Sequence, residues 1–93
     1  MSKKYKVEPS TKFRRDYKRA IKRGYDMRLL DDVVDMLSNG NQLPEKYLDH
    51  SLKGDWGGFR ECHITSDWLL VYRYEDDVLI LVLQRTGTHS DLF

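Results

Sequence analysis

The chain has 93 residues, a net charge of +1, a single cysteine and two prolines. That length predicts one domain, residues 1–93, burying about two-thirds of its unfolded surface, and argues against a deep pocket around a large cofactor. Cys62 alone excludes an internal disulfide and a cysteine-rich zinc site. The absence of a run of about 18 apolar residues, with a charged opening MSKKYKVEP, points to a cytoplasmic protein with no membrane span.

Tyr5-Lys6-Val7 reads as a short edge strand, stopped by Pro9, which cannot donate to a ladder. Ser10 or Thr11 caps a helix whose apolar stripe is Phe13, Tyr17, Ala20 and Ile21. Arg14, Arg15, Lys18, Arg19, Lys22 and Arg23 fill its other face, and Gly24 stops it. A second helix runs from about Asp26 to Ser38 on Met27, Leu30, Val33, Val34 and Leu37, making an antiparallel helical hairpin with the first. Residues 40–57 read as a long loop carrying His50, and loops of that length in small domains are often functional.

Three strands follow. FRECHIT alternates, with Cys62 and Ile64 on one face and Glu61, His63 and Thr65 on the other. Ser66-Asp67 turns the chain, and WLLVYRY and VLILVLQ, joined at Glu75-Asp76-Asp77, are apolar enough on both faces to be central strands. The predicted fold is α+β: an N-terminal strand, two helices, then a three-stranded antiparallel meander packed on the helices.

The net charge conceals an asymmetry. Residues 1–30 sum to +8 and residues 31–93 to −7. A basic first helix is either an electrostatic footprint for nucleic acid or a solvated face paired with the acidic remainder.

The polar residues outside this scaffold are His50, His63, Asp67, Arg85 and His89, with Trp68 and Phe93 as the accompanying aromatics. Imidazoles titrate near neutrality and act as general base or acid. A guanidinium stabilises charge growing on a phosphoryl oxygen, and a ring stacks on a splayed base. The set suits metal-free RNA cleavage, in which a 2′-hydroxyl loses its proton, attacks the adjacent phosphate and leaves a 2′,3′-cyclic phosphate and a 5′-hydroxyl. The histidines lie 13 and 26 residues apart and form no local HxxxH pair, which disfavours zinc. Cys62 alternates away from His63 and is a poor nucleophile candidate.

The segments DHSLKGDWGGFRECHITSDWLLVYRY and QRTGTHSDLF resemble the YafQ-type toxins of the RelE/ParE superfamily, over nearly the whole chain. The resemblance implies that family's small α+β fold and a ribosome-dependent endoribonuclease that cuts mRNA in the A site. It implies no metal or other cofactor, a free toxin that is monomeric, and a cognate antitoxin that neutralises it in a hetero-oligomer. By motif, His50 matches the DH pair, His63, Asp67 and Trp68 match HxxxDW, Arg85 and His89 match RTGTH, and Phe93 matches the closing LF.

The roles these matches imply are proton transfer by His89 with His50 or Asp67, help from His63, and phosphate contact by Arg85. Phe93 would stack on mRNA, its carboxylate adding negative charge nearby, and Trp68 would contact substrate or support the site from the core. Arg14, Arg15, Lys18, Arg19, Lys22 and Arg23 would dock on ribosomal RNA. Two alternatives stand beside this: a ParE-like inhibitor of gyrase with no nuclease chemistry, and a plain binding module.

Overall fold

The computed structural model describes residues 4–93; the opening Met-Ser-Lys, part of the stretch read above for charge and leader, lies outside the described residues. The elements run β1 (Lys6–Pro9), α1 (Thr11–Lys22), α2 (Met27–Ser38), β2 (His50–Ser51), β3 (Arg60–Thr65), β4 (Trp68–Glu75), β5 (Ile80–Gly87) and α3 (His89–Leu92). The strands form one sheet in the order β1-β5-β4-β3-β2. Its pairs are antiparallel except for β1, which lies parallel to β5.

The helices start and stop where local chemistry directs. The Ser10 hydroxyl accepts from the Phe13 amide at 2.9 Å and donates to the Gln84 carbonyl at 2.7 Å, so one cap both begins α1 and ties it to β5. Asp26 caps α2 through the Arg28 amide. Gly24 follows the end of α1 in the left-handed region, at φ +79°.

Two apolar layers sandwich the sheet. On the helical side Phe13, Ala20, Leu30, Val33 and Leu37 pack with Cys62, Ile64, Trp68, Leu70, Tyr72, Leu81 and Leu83. On the other side Leu69, Val71 and Leu92 lie under Leu52, Trp56 and Phe59. This second, smaller layer exists because β4 is apolar on both faces.

Three expectations are corrected, and one element is added. The sheet has five strands, since His50–Ser51 pairs with β3 inside the segment read as loop, and single 3-10 turns flank that pair at Glu45–Tyr47 and Gly54–Trp56. Ile21 is half exposed, and the carboxylate of Asp16 is buried in its stead, because α1 faces polar partners on β5. Val78 and Leu79 are exposed in a turn that spans 76–79 rather than beginning the last strand. The chain after Gly87 closes into α3, an element without enough residues to show helical periodicity.

Candidate active site

Strand register sets the geometry. His50 pairs with Glu61, Glu61 with Val71, and Val71 with Arg85, a single row across four strands. At ordinary strand spacing its ends lie about 14 Å apart. Two residues along, a row runs His63, Leu69, Gly87, which brings the β3–β4 turn and the start of α3 to the same end of the sheet.

His50 is oriented from both sides. Leu48 adopts a left-handed φ of 51°, unusual for a branched residue, and its carbonyl lies 2.7 Å from His50 Nδ1. A carbonyl only accepts, so Nδ1 donates to it and Nε2 is the nitrogen left free to face other groups. Nε2 sits 3.4 Å from Glu61 Oε1. His63 Nε2 is 3.9 Å from that same oxygen, and the two rings are 6.5 Å apart. Glu61 is thus a nearly buried carboxylate shared by two imidazoles. Sequence reasoning missed it, although its position two residues before His63 on an alternating strand places it on the same face.

The loop that delivers His50 is anchored by Asp49. The Tyr72 hydroxyl donates to it at 2.7 Å, and Arg60 donates twice at 3.3 Å. Burial, and then the bond to Asp49, push the Tyr72 phenol far above its ordinary range. Tyr72→Phe removes a bond to a charged group and is expected to cost about 2 kcal/mol. A fall of roughly 10 °C in the thermal midpoint would register it, and an unchanged midpoint would show that Arg60 anchors the loop alone.

At the other end, Thr88 caps α3 reciprocally: its hydroxyl accepts from the Asp91 amide at 3.1 Å while Asp91 accepts from the Thr88 amide at 2.9 Å. Arg23, at the end of α1, donates to both Asp91 oxygens, at 2.6 and 3.1 Å. The exposed His89 ring lies 5.2 Å from Phe93, Phe93 lies 5.5 Å from Trp56, and Trp56 lies 5.7 Å from Phe59. The result is an exposed imidazole–phenyl pair standing on a short aromatic ladder. Arg23 holds the Asp91 carboxyl well below the usual carboxylate range. This tie therefore stabilises the fold fully above an ordinary carboxylate pKa of about 3.9, and its contribution is lost only as pH falls through the depressed folded value.

β1 pairs with β5 only as far as Leu83, so β5 is an edge at Arg85. There Arg85 donates to Asp16 through Nε at 2.7 Å and through Nη2 at 3.2 Å. Arg19 and the Thr86 amide donate to the same carboxylate at 3.0 and 3.1 Å. Lys12, Arg15, Asp16, Arg19 and Arg85 line an open groove of about 300 Å³. Arg85 is thus a cation held in place, with N–H donors to spare.

The predicted residues therefore fall into three groups: His50 with His63, His89 with Phe93, and Arg85 on Asp16. Two do not join them. Asp67 is exposed at the β3–β4 turn, on a cleft shared with Tyr25, Asp26 and Leu29, away from the imidazole pair on Glu61. Trp68 is buried 4.8 Å from the Tyr25 ring and donates to Thr86 Oγ1 at 2.8 Å, so it supports β5 from the core. Of the α1 cations, Arg14, Arg15, Lys18 and Lys22 are exposed, whereas Arg19 and Arg23 are engaged by Asp16 and Asp91. Burial raises the Cys62 thiol far above its ordinary value, as befits a core residue. Among the described residues no three His, Cys, Asp or Glu side chains are arranged to hold a metal ion. His50 and His63 share one carboxylate, and His89 belongs to another group.

The comparisons bear on what such an arrangement serves. Residues 5–93 match the model of a family described as the bacterial toxin of type II toxin–antitoxin systems, YafQ. The chain is 41% identical over 88 residues to the mRNA interferase toxin YafQ of Escherichia coli K12, covering 94% of each. It superposes with a TM-score of 0.88 on a chain of the E. coli DinJ–YafQ toxin–antitoxin complex, at 40% identity over 97% of this chain and 98% of that one. Against a metal-bound toxin from Helicobacter pylori the TM-score is 0.90, at 45% identity over 96% of this chain and 99% of that one.

Proposed function

The chain belongs to the YafQ family of toxins of bacterial type II toxin–antitoxin systems, and from that premise we propose that it is a ribosome-dependent mRNA interferase, an endoribonuclease that cuts mRNA in the A site and so halts translation in the cytoplasm. The observation that carries this reading is the pairing of two oriented imidazoles on a shared carboxylate with a third, exposed imidazole beside a terminal ring, both at one end of the sheet.

The chemistry follows from proton balance. One group takes the proton of the 2′-hydroxyl, and that oxygen attacks phosphorus. The phosphorus–oxygen bond to the 5′ side then breaks, and a second group protonates the departing oxygen. His89 is one proton-transfer partner. His50 is the better placed of the two candidates for the other, because Glu61 beside Nε2 stabilises the imidazolium that proton capture creates. His63 shares that carboxylate and supports the pair. Asp67 keeps a lesser claim, as it lacks contact with an imidazole. Arg85 directs its remaining N–H donors at the scissile phosphate, and Phe93 stacks on a base. A cognate antitoxin neutralises the free monomer by covering this surface.

Arg14, Arg15, Lys18 and Lys22 dock on ribosomal RNA phosphates. Neutralising Lys18 and Lys22 together is expected to weaken ribosome binding and reduce its salt slope by about 1 per residue. Unchanged salt dependence would return this helix face to mere solvation. The function itself is tested by inducing the chain with and without its antitoxin partner and mapping transcript 5′ ends. Cuts inside reading frames support the interferase, and DNA damage without such cuts would replace it with gyrase inhibition.

A further inference from the structure

α1 carries two stripes of charge with different fates. Arg14, Arg15, Lys18 and Lys22 project into solvent. Asp16, Arg19 and Arg23, spaced three and four apart, form the other stripe: Asp16 and Arg23 meet the C-terminal segment, and Arg19 pairs with Asp16. The contact from Arg23 to Asp91 spans 68 residues of sequence and uses both carboxylate oxygens. Such a fork fixes orientation as well as distance.

The element it holds has little else to hold it. α3 has four residues, far below the length at which a helix is stable alone. It is anchored by Leu92 in the smaller apolar layer, by the Thr88 cap and by Arg23. Fit at its base is tight: a Cβ at Gly87 would stand 2.9 Å from Asp91 Oδ2 and 3.0 Å from Asp91 Cβ. A side chain there would push Asp91 off its partners, so glycine is required for close approach. His89 and Phe93 ride on the element so fixed.

We propose that Arg23 and Asp91 form a positioning clasp for His89 and Phe93, so that α1 sets the C-terminal half of the site with one stripe while meeting RNA with the other. Neither clasp residue touches the reacting atoms. Their effect is on placement, where an error of about 1 Å can cost about 10²-fold in rate. The activity readout rests on the interferase reading; the clasp itself does not.

The test compares Arg23→Gln with Lys22→Gln, the same charge change one residue away on the other stripe, and with Asp91→Asn. Each is assayed for cleavage of ribosome-bound mRNA and for the indole N–H resonance of Trp56, which sits against the Phe93 ring. Arg23→Gln and Asp91→Asn should each lower kcat by about 10- to 100-fold with KM and salt slope unchanged. Both should shift the Trp56 resonance, and Arg23→Lys should recover part of the loss. Lys22→Gln should raise KM and leave Trp56 unmoved. Arg23→Gln behaving like Lys22→Gln, or wild-type kcat in Asp91→Asn, would overturn the clasp. Should the wild-type chain cut no RNA, the interferase reading fails while Trp56 still decides: shifts in both clasp variants support the clasp, and their absence refutes it.

Discussion

Replacing His89 by Ala is expected to slow cleavage of ribosome-bound mRNA by about 10²-fold or more, the usual scale of lost acid–base help. The residue is exposed, and its one ring contact is with Phe93 at 5.2 Å. Removing it opens no cavity, so the change in stability should stay within about 0.5 kcal/mol. A large kinetic loss in a protein of unchanged melting temperature therefore reads as chemistry. His89→Gln, which keeps a polar side chain but no acid–base group, should be nearly as slow. Cleavage by His89→Ala at the wild-type rate would remove this imidazole from the mechanism.

The second large effect is expected at Arg85, where structure and chemistry are joined. Asp16 is only 5% exposed, and Arg85 supplies two of its bonds. Deleting one partner of a buried pair typically costs about 3–5 kcal/mol, because the other charge is left in a medium that solvates it poorly. Arg19 and the Thr86 amide still reach the carboxylate, which puts Arg85→Ala near the lower bound. Against a total stability of about 5–15 kcal/mol that is a severe loss. Cleavage should fall by a further factor of about 10²–10³ from the missing phosphate partner, measured at a temperature where the variant remains folded. Arg85→Lys separates the two roles: it keeps the charge and much of the stability, but cannot reproduce the planar fork, so the rate should recover poorly. Equal recovery of both would mean that Arg85 acts only as a counter-ion to Asp16.

Much of this architecture was legible in the sequence, for identifiable reasons. α1 and α2 announced themselves through caps, glycine stops and helical spacing, and β3 through strict alternation. His50, His63, Arg85, His89 and Phe93 stood out because no packing role claimed them. What stayed hidden depended on partners distant in sequence. The strand His50–Ser51 has too few residues to display a period, and exists because β3 offers it an edge. Glu61 read as one more solvent-facing acid until β2 covered it. Asp16 drew no notice on the basic helix, since its partners on β5 lie about seventy residues onward. Arg23 looked equivalent to Lys22 because charge alone does not distinguish a residue that meets Asp91 from one that meets water.

The Ser10–Gln84 bond joins positions 74 apart, and the Asp16–Thr86 and Arg23–Asp91 bonds span 70 and 68. Joining the head of the chain to its tail forfeits loop entropy before any contact repays it, so folding should be slow for so short a polypeptide. Neither end can order its share of the catalytic surface alone. A collapsed intermediate holding only β3, β4 and β5 would keep the hairpins yet leave the C-terminal turn undocked. Poisonous activity should accordingly arise in one late kinetic step, together with the last tertiary structure.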